Sequence, residues 1–119
     1  LFLTEFLEKT GGKLPKNFVV TLPKVSRAVE VEALSGLLAA FEERGKLPEK
    51  SIKIEILIET PRAIFDESGA VAPPKLVRAA NGRCVAAHFG AYDYTSFFGI
   101  VAEHQHLRHE ACNFARRIM

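Results

Sequence analysis

The chain has 119 residues, 48% of them apolar, and a formal net charge of +2. That length suffices for one domain core and is too short for two, and the apolar content excludes a disordered chain. The small net charge, with no basic run longer than Arg116-Arg117, argues against a nucleic-acid partner, and no apolar run reaches the roughly 18 residues needed to span a membrane.

In chain order, apolar residues at 1, 3, 6 and 7 predict a helix over Leu1 to Lys9, closed by Thr10-Gly11-Gly12. Asn17 to Leu22 is a short β-rich apolar run ended by Pro23. Ser26 is placed to cap a helix whose stripe is Val31, Leu34, Leu37, Leu38 and Phe41, ending at Arg44 and Gly45. Ile52 to Ile58, with isoleucine at every second position, is the clearest strand, and Pro61 suits the first turn of the next segment. Asp66-Glu67-Ser68-Gly69 is turn chemistry, so the connection from 61 to 74 reads as irregular before a helix near Lys75 to Ala80. Asn81-Gly82 closes that helix. A third strand runs from Arg83 to Phe89, and Thr95 to Leu107 and Glu110 to Met119 read as helical.

Nothing has the pattern of a signal peptide. Cys84 and Cys112 are far apart and lack metal-type spacing, so they read as reduced, mostly buried thiols of a cytoplasmic protein. The chain starts at Leu1 without an initiator Met and stops at Met119 inside an uncapped helix, which predicts a piece of a longer polypeptide.

Strands separated by helical segments of this length predict an α/β fold built from βαβ units around a parallel sheet, either doubly wound or a (β/α) barrel. One detail favours the barrel. In the 52–58 strand the isoleucines occupy one face, while Lys53, Glu55 and Glu59 share the other with Leu57. An open doubly wound sheet wants both faces apolar, whereas a barrel strand can turn polar groups inward. The alternative is an edge strand with a solvated face. In a barrel, Glu55 is expected to be buried and paired with Lys24 or Lys53.

The residues with chemical promise sit where strands end. Glu59 follows the second strand, and Asp93 lies in the glycine-bracketed stretch Phe89-Gly90-Ala91-Tyr92-Asp93-Tyr94-Thr95-Ser96-Phe97-Phe98-Gly99 after the third. Two acids at the carboxyl ends of neighbouring strands suit a divalent cation, which accepts one or two carboxylates and leaves its other positions to water and substrate. Taken singly, Glu59 reads as an acid at a helix start and Asp93 as a loop cap; their joint placement favours the metal.

Three ordered motifs, Leu22-Pro23-Lys24-Val25, Ile58-Glu59-Thr60 and Phe89-Gly90-x-x-Asp93 through Gly99, resemble those of the citrate lyase β-subunit and HpcH/HpaI aldolase family, within the phosphoenolpyruvate/pyruvate-binding barrels. Order, element type and approximate spacing agree over residues 17 to 99. The resemblance implies a segment of a (β/α)8 TIM barrel, about half of one, since such barrels run to about 250 residues. It also implies Mg²⁺ (or Mn²⁺) held by Glu59 and Asp93, and carbon–carbon bond cleavage or formation on a 2-oxo acid or acyl-CoA-type substrate through a metal-stabilised enolate. A cytoplasmic homo-oligomer goes with that expectation, as does little lyase activity in the isolated 119 residues. The chain departs from the family in its longer 61–82 connection, its aromatic-rich 87–94 phrase, and the lack of a counterpart to the family's substrate-carboxylate arginine.

Lys24 and His88 are the candidate catalytic residues. Lys24, at a strand end, is either a substrate contact or an internal partner of Glu55 or Glu59. By alternation His88 shares a face with Ala86 and Cys84, near Asp93, and a structural hydrogen bond competes with catalysis there. His104, His106 and His109 occupy different helix faces, and His109-Glu110 has no second histidine four positions on, so neither makes a zinc motif. Arg83 opens its strand at the end opposite the chemistry and reads as structural. A non-catalytic barrel fragment acting through subunit contacts is the alternative to the lyase, while a nucleotide-binding domain is disfavoured because no Gly-rich phosphate loop follows any strand.

Overall fold

The alternation of strand and helix signals is realised as an α/β domain with a three-stranded, wholly parallel sheet. The computed structural model describes residues 2–119. Helix α1 (Phe2–Lys9) precedes strand β1 (Val19–Leu22), followed by α2 (Ala28–Arg44), β2 (Lys53–Ile58), α3 (Pro73–Ala79), β3 (Cys84–Phe89), α4 (Ala91–Ser96) and α5 (Ala111–Ile118). Short 3₁₀ turns occupy Pro61–Ala63 and Ala102–His104. The sheet order is β1-β2-β3, so strands adjacent in sequence are neighbours in space and each connection crosses over through a helix. Among the described residues no helix is long and apolar enough to cross a membrane.

The period-two pattern of β2 decides how the layers stack. Ile54, Ile56 and Ile58 are all but fully buried, while Lys53, Glu55 and Leu57 between them are only half-buried. The isoleucine face packs with Val31 and Leu38 of α2, Leu76 of α3, Ala91 and Tyr94 of α4, and Cys112 and Ala115 of α5. Burying each isoleucine contributes about 1.5–3 kcal/mol, so this face holds the helices in place. Leu37, expected in the α2 stripe, points to solvent; the buried stripe runs through Val31, Ser35, Leu38 and Glu42.

Glu42 belongs in that stripe because Arg83 meets it. The guanidinium donates from Nη1 and Nη2 to the two Glu42 oxygens at 2.7 and 2.8 Å, with both side chains almost completely buried. Glu42 also accepts from the backbone amides of Lys50 and Ile52, and Arg83 Nη1 donates to the Ile52 carbonyl. Burial alone would raise the Glu42 carboxyl, but the guanidinium and the two amides outweigh it and bring it down to about 2. This knot ties α2, the entry to β2 and the entry to β3 at the amino end of the sheet, the structural role expected of Arg83.

Several elements differ from the sequence expectation. Ser26 does not cap α2: its hydroxyl meets the Lys24 carbonyl, while Glu30 reaches back to accept from the Ser26 and Arg27 amides at 2.8 and 3.2 Å. That is the reciprocal half of a capping box, supplied from the third helical position. The helix expected from Thr95 to Leu107 instead runs from Ala91 to Ser96, immediately after β3. Tyr94 is buried against Phe89, with ring centroids 5.1 Å apart, and this packing nucleates the early start. Pro61 and Asp66 behave as expected. Pro61 opens the 3₁₀ turn, and Asp66 Oδ1 accepts from the Ser68 and Ala70 amides.

β3 carries one extra residue relative to β2. Ile54 pairs with Cys84 but Glu55 pairs with Ala86, leaving Val85 bulged out. The bulge flips the alternation, so Cys84 turns toward the helix-covered core while Ala86 and His88 lie beside Glu55 and Leu57 on the open face. The expectation that Cys84 and His88 share a face fails for this reason. Both cysteines are free, and burial raises each thiol.

Candidate functional site at the carboxyl end of the sheet

Parallel strands end together, so the residues after β1, β2 and β3 gather at one edge of the sheet. Lys24 comes from the β1–α2 loop, Glu59 directly after β2, and Asp93 from the first turn of α4, just past Ala91 and Tyr92. The sequence places Asp93 in a loop; it lies instead in a helical turn, which aims it back over the strand ends.

Lys24 joins the two acids. Its backbone amide donates to Glu59 Oε1 at 2.7 Å, and its ammonium lies 2.7 Å from Asp93 Oδ2. The residue does this from φ 52°, a left-handed conformation uncommon outside glycine. The hydrogen bond to Asp93 raises the Lys24 ammonium above its ordinary range. Asp93 is correspondingly lowered, first of all by its hydrogen bond with the Lys24 ammonium. The alternative in which Lys24 neutralises Glu55 is corrected: its charge is spent on Asp93, and its main chain on Glu59.

Glu59 is only 4% exposed, an uncommon place for a carboxylate. Among the described residues, the Lys24 amide is the sole hydrogen-bond donor to it. Gly90 makes room for it. A Cβ at position 90 would lie 2.5 Å from Glu59 Cβ and 2.6 Å from Oε2, so the end of β3 accepts no side chain there. Gly90 remains in the ladder through its amide, which donates to the Ile58 carbonyl at 2.9 Å. Thr60 fixes the next step of the chain: its hydroxyl donates to the Val25 carbonyl at 2.6 Å and accepts from the Ala63 amide, capping the 3₁₀ turn. Gly90 and Thr60 belong to the three sequence motifs, yet their roles depend on cross-strand proximity that spacing alone does not convey.

His88 takes a different partner from the acid pair. Its Nε2 lies 2.7 Å from Glu55 Oε2, and the Thr21 hydroxyl donates to the same oxygen at 3.3 Å. These three residues line the open face one to three residues below the strand ends. Glu55 is therefore paired, as a buried carboxylate requires, but half-buried and with His88 rather than Lys24 or Lys53. Across the rest of the chain, His104 lies beside Glu103, and His109 Nδ1 accepts from the Ala111 amide. Among the described residues no group of three or more His, Cys, Asp and Glu side chains converges.

The geometry defines a class: an α/β protein with a parallel sheet whose carboxyl edge carries a lysine-bridged pair of acids. By comparison with known families, the chain belongs to the family described as Domain of unknown function (DUF6986), whose model matches residues 1–119. No curated protein matches it.

Proposed function

We propose that this domain is a segment of a (β/α)8 barrel and that the whole protein is a metal-dependent carbon–carbon lyase acting on a 2-oxo acid or acyl-CoA-type substrate. The barrel reading is supported by three parallel strands in sequential order, each followed by a helix, and by a polar open face that a closed barrel would enclose. The lyase reading is carried by one observation, the convergence of Glu59 and Asp93 on one residue, Lys24, the first on its amide and the second on its ammonium. The donor set fits a small hard cation: two carboxylates from neighbouring strand ends, one held rigidly in a cradle that a glycine leaves open. Glu59 and Asp93 would hold Mg²⁺ or Mn²⁺, and the ion would supply charge stabilisation at a carbonyl oxygen as the adjacent carbon–carbon bond breaks.

The chain's own residues prepare that site. The Lys24 amide orients Glu59, and the packing around Glu59 excludes water from its stem. On the open face the contact of His88 Nε2 with Glu55 Oε2 at 2.7 Å orients the imidazole. The other ring nitrogen of the half-exposed His88, Nδ1, is left to face a substrate lying over that face. A second reading, a non-catalytic module acting through subunit contacts as a homo-oligomer, has support in the outer edges of β1 and β3, which pair with no strand among the described residues.

Mn²⁺ binding followed by electron paramagnetic resonance separates the two readings. Glu59→Gln and Asp93→Asn keep side-chain shape and remove charge, so each is expected to weaken Mn²⁺ binding at least tenfold and, in the full-length protein, to lower turnover in step. Wild-type affinity in either folded variant would overturn the assignment.

A further inference from the structure

We propose that the Lys24 ammonium is a resident counter-ion which an incoming divalent cation must displace, so that Lys24 sets the metal affinity of the site. This rests on the metal reading of Glu59 and Asp93 and goes beyond it by giving Lys24 a positioning role separable from that of the two acids.

Lys24 makes its two contacts with two chemically different parts. The main-chain amide holds the buried Glu59, and the ammonium, at the end of a flexible stem, holds Asp93. The first contact cannot be given up without moving the β1–α2 loop. The second can: the Lys24 and Asp93 side chains are 66% and 46% exposed, and an exposed ion pair of this kind is weak. Two neighbouring carboxylates repel each other, and the ammonium offsets that repulsion when no metal is present. A metal bound at about 2.0–2.1 Å from the same oxygens would lie within a few ångströms of the ammonium, and like charges so placed do not share a ligand. Exchange follows. The amide keeps Glu59 aligned in both states while the side chain swings into solvent.

Removing the ammonium should therefore tighten metal binding, the opposite of what loss of a merely structural residue does. Giving up an exposed ion pair of this kind when the metal binds corresponds to up to roughly fivefold in affinity. The experiment measures Mn²⁺ affinity by electron paramagnetic resonance, with Mg²⁺ competition, for the wild type, Lys24→Met and Lys24→Arg. Circular dichroism and melting serve as fold controls, and Lys24→Gln serves in place of Lys24→Met if that variant does not fold. The expected result is tighter binding, by up to about fivefold, for Lys24→Met, a larger ratio at low salt, and near-wild-type affinity for Lys24→Arg. Equal or weaker binding by a folded Lys24→Met overturns the inference and leaves the metal site standing. A wild type that binds no Mn²⁺ overturns both.

Discussion

Replacing Glu42 by Gln tests whether the buried knot at the amino end of the sheet, rather than the sheet's carboxyl edge, carries the acid sensitivity of the fold. The Glu42 carboxyl is brought from 4.5 to about 2 in the folded chain by Arg83 and two amides, against the effect of burial. A depressed folded value stabilises the native state above the unfolded value, and that contribution is lost as pH falls toward the folded one. The gap between the two values corresponds to about 3 kcal/mol at neutral pH. Worked through the two titration curves, about 2 kcal/mol of this disappears between pH 5 and pH 3. Urea unfolding across that range reads it directly. The wild type should lose about 2 kcal/mol more than Glu42→Gln, since Asp66, Asp93 and Glu30, which are also lowered, titrate equally in both chains and cancel. At pH 7 the variant should already be less stable by about 3–5 kcal/mol, because Arg83 keeps its buried charge without a counter-charge. Parallel pH profiles for the two chains would refute the assignment of the knot as the acid-labile element.

Gly90→Ala forces a methyl group into the Glu59 side chain, and overpacking of this kind costs about 1–3 kcal/mol; thermal unfolding should show a Tm several degrees lower, with Mn²⁺ affinity reduced because Glu59 is the group that must move. Thr60→Val removes both the hydroxyl donated to Val25 and the cap on the 3₁₀ turn, a loss of about 1–2 kcal/mol by denaturant titration. On the barrel-segment proposal, the isolated 119-residue chain should show little lyase activity when assayed with 2-oxo acids and metal, since three strands would form only part of the wall that positions substrate; saturable, metal-dependent turnover by this chain would count against the proposal.

Strand content is readable in the sequence because burial imposes a period, and β2 displays it without interruption from Ile52 to Ile58. The order and direction of the strands follow from the helical length of the connections. Whatever depends on register escapes such a reading. Val85 is a residue like its neighbours, and nothing in the local sequence marks it as the bulge that reverses the facing of Cys84. The partner of Glu55 is hidden for the same reason: the His88–Glu55 contact is diagonal across two strands, and its existence depends on that bulge. The start of α4 is obscured because glycine and aromatic residues at 90–94 favour a turn locally, whereas the burial of Tyr94 over Phe89 wins the segment for a helix. At the carboxyl edge, the acids are legible as residues at strand ends, but the route by which one lysine meets both, through amide and ammonium, requires the backbone at Lys24.

The bulge at Val85 makes β3 sensitive to its length in a way it is not to its composition. The valine side chain is exposed and packs little, so many residues could replace it without consequence. Deleting it is another matter. Every residue before it in the strand would then exchange sides relative to the fixed ladder after it, presenting Cys84 to the open face and pulling Arg83 out of phase with Glu42, or else the four residues to Phe89 would turn over and bury the His88 imidazole. Chains that share this architecture should therefore vary freely in residue type at this position and in length through the 61–82 connection, yet keep the count of residues from Arg83 to Gly90 constant.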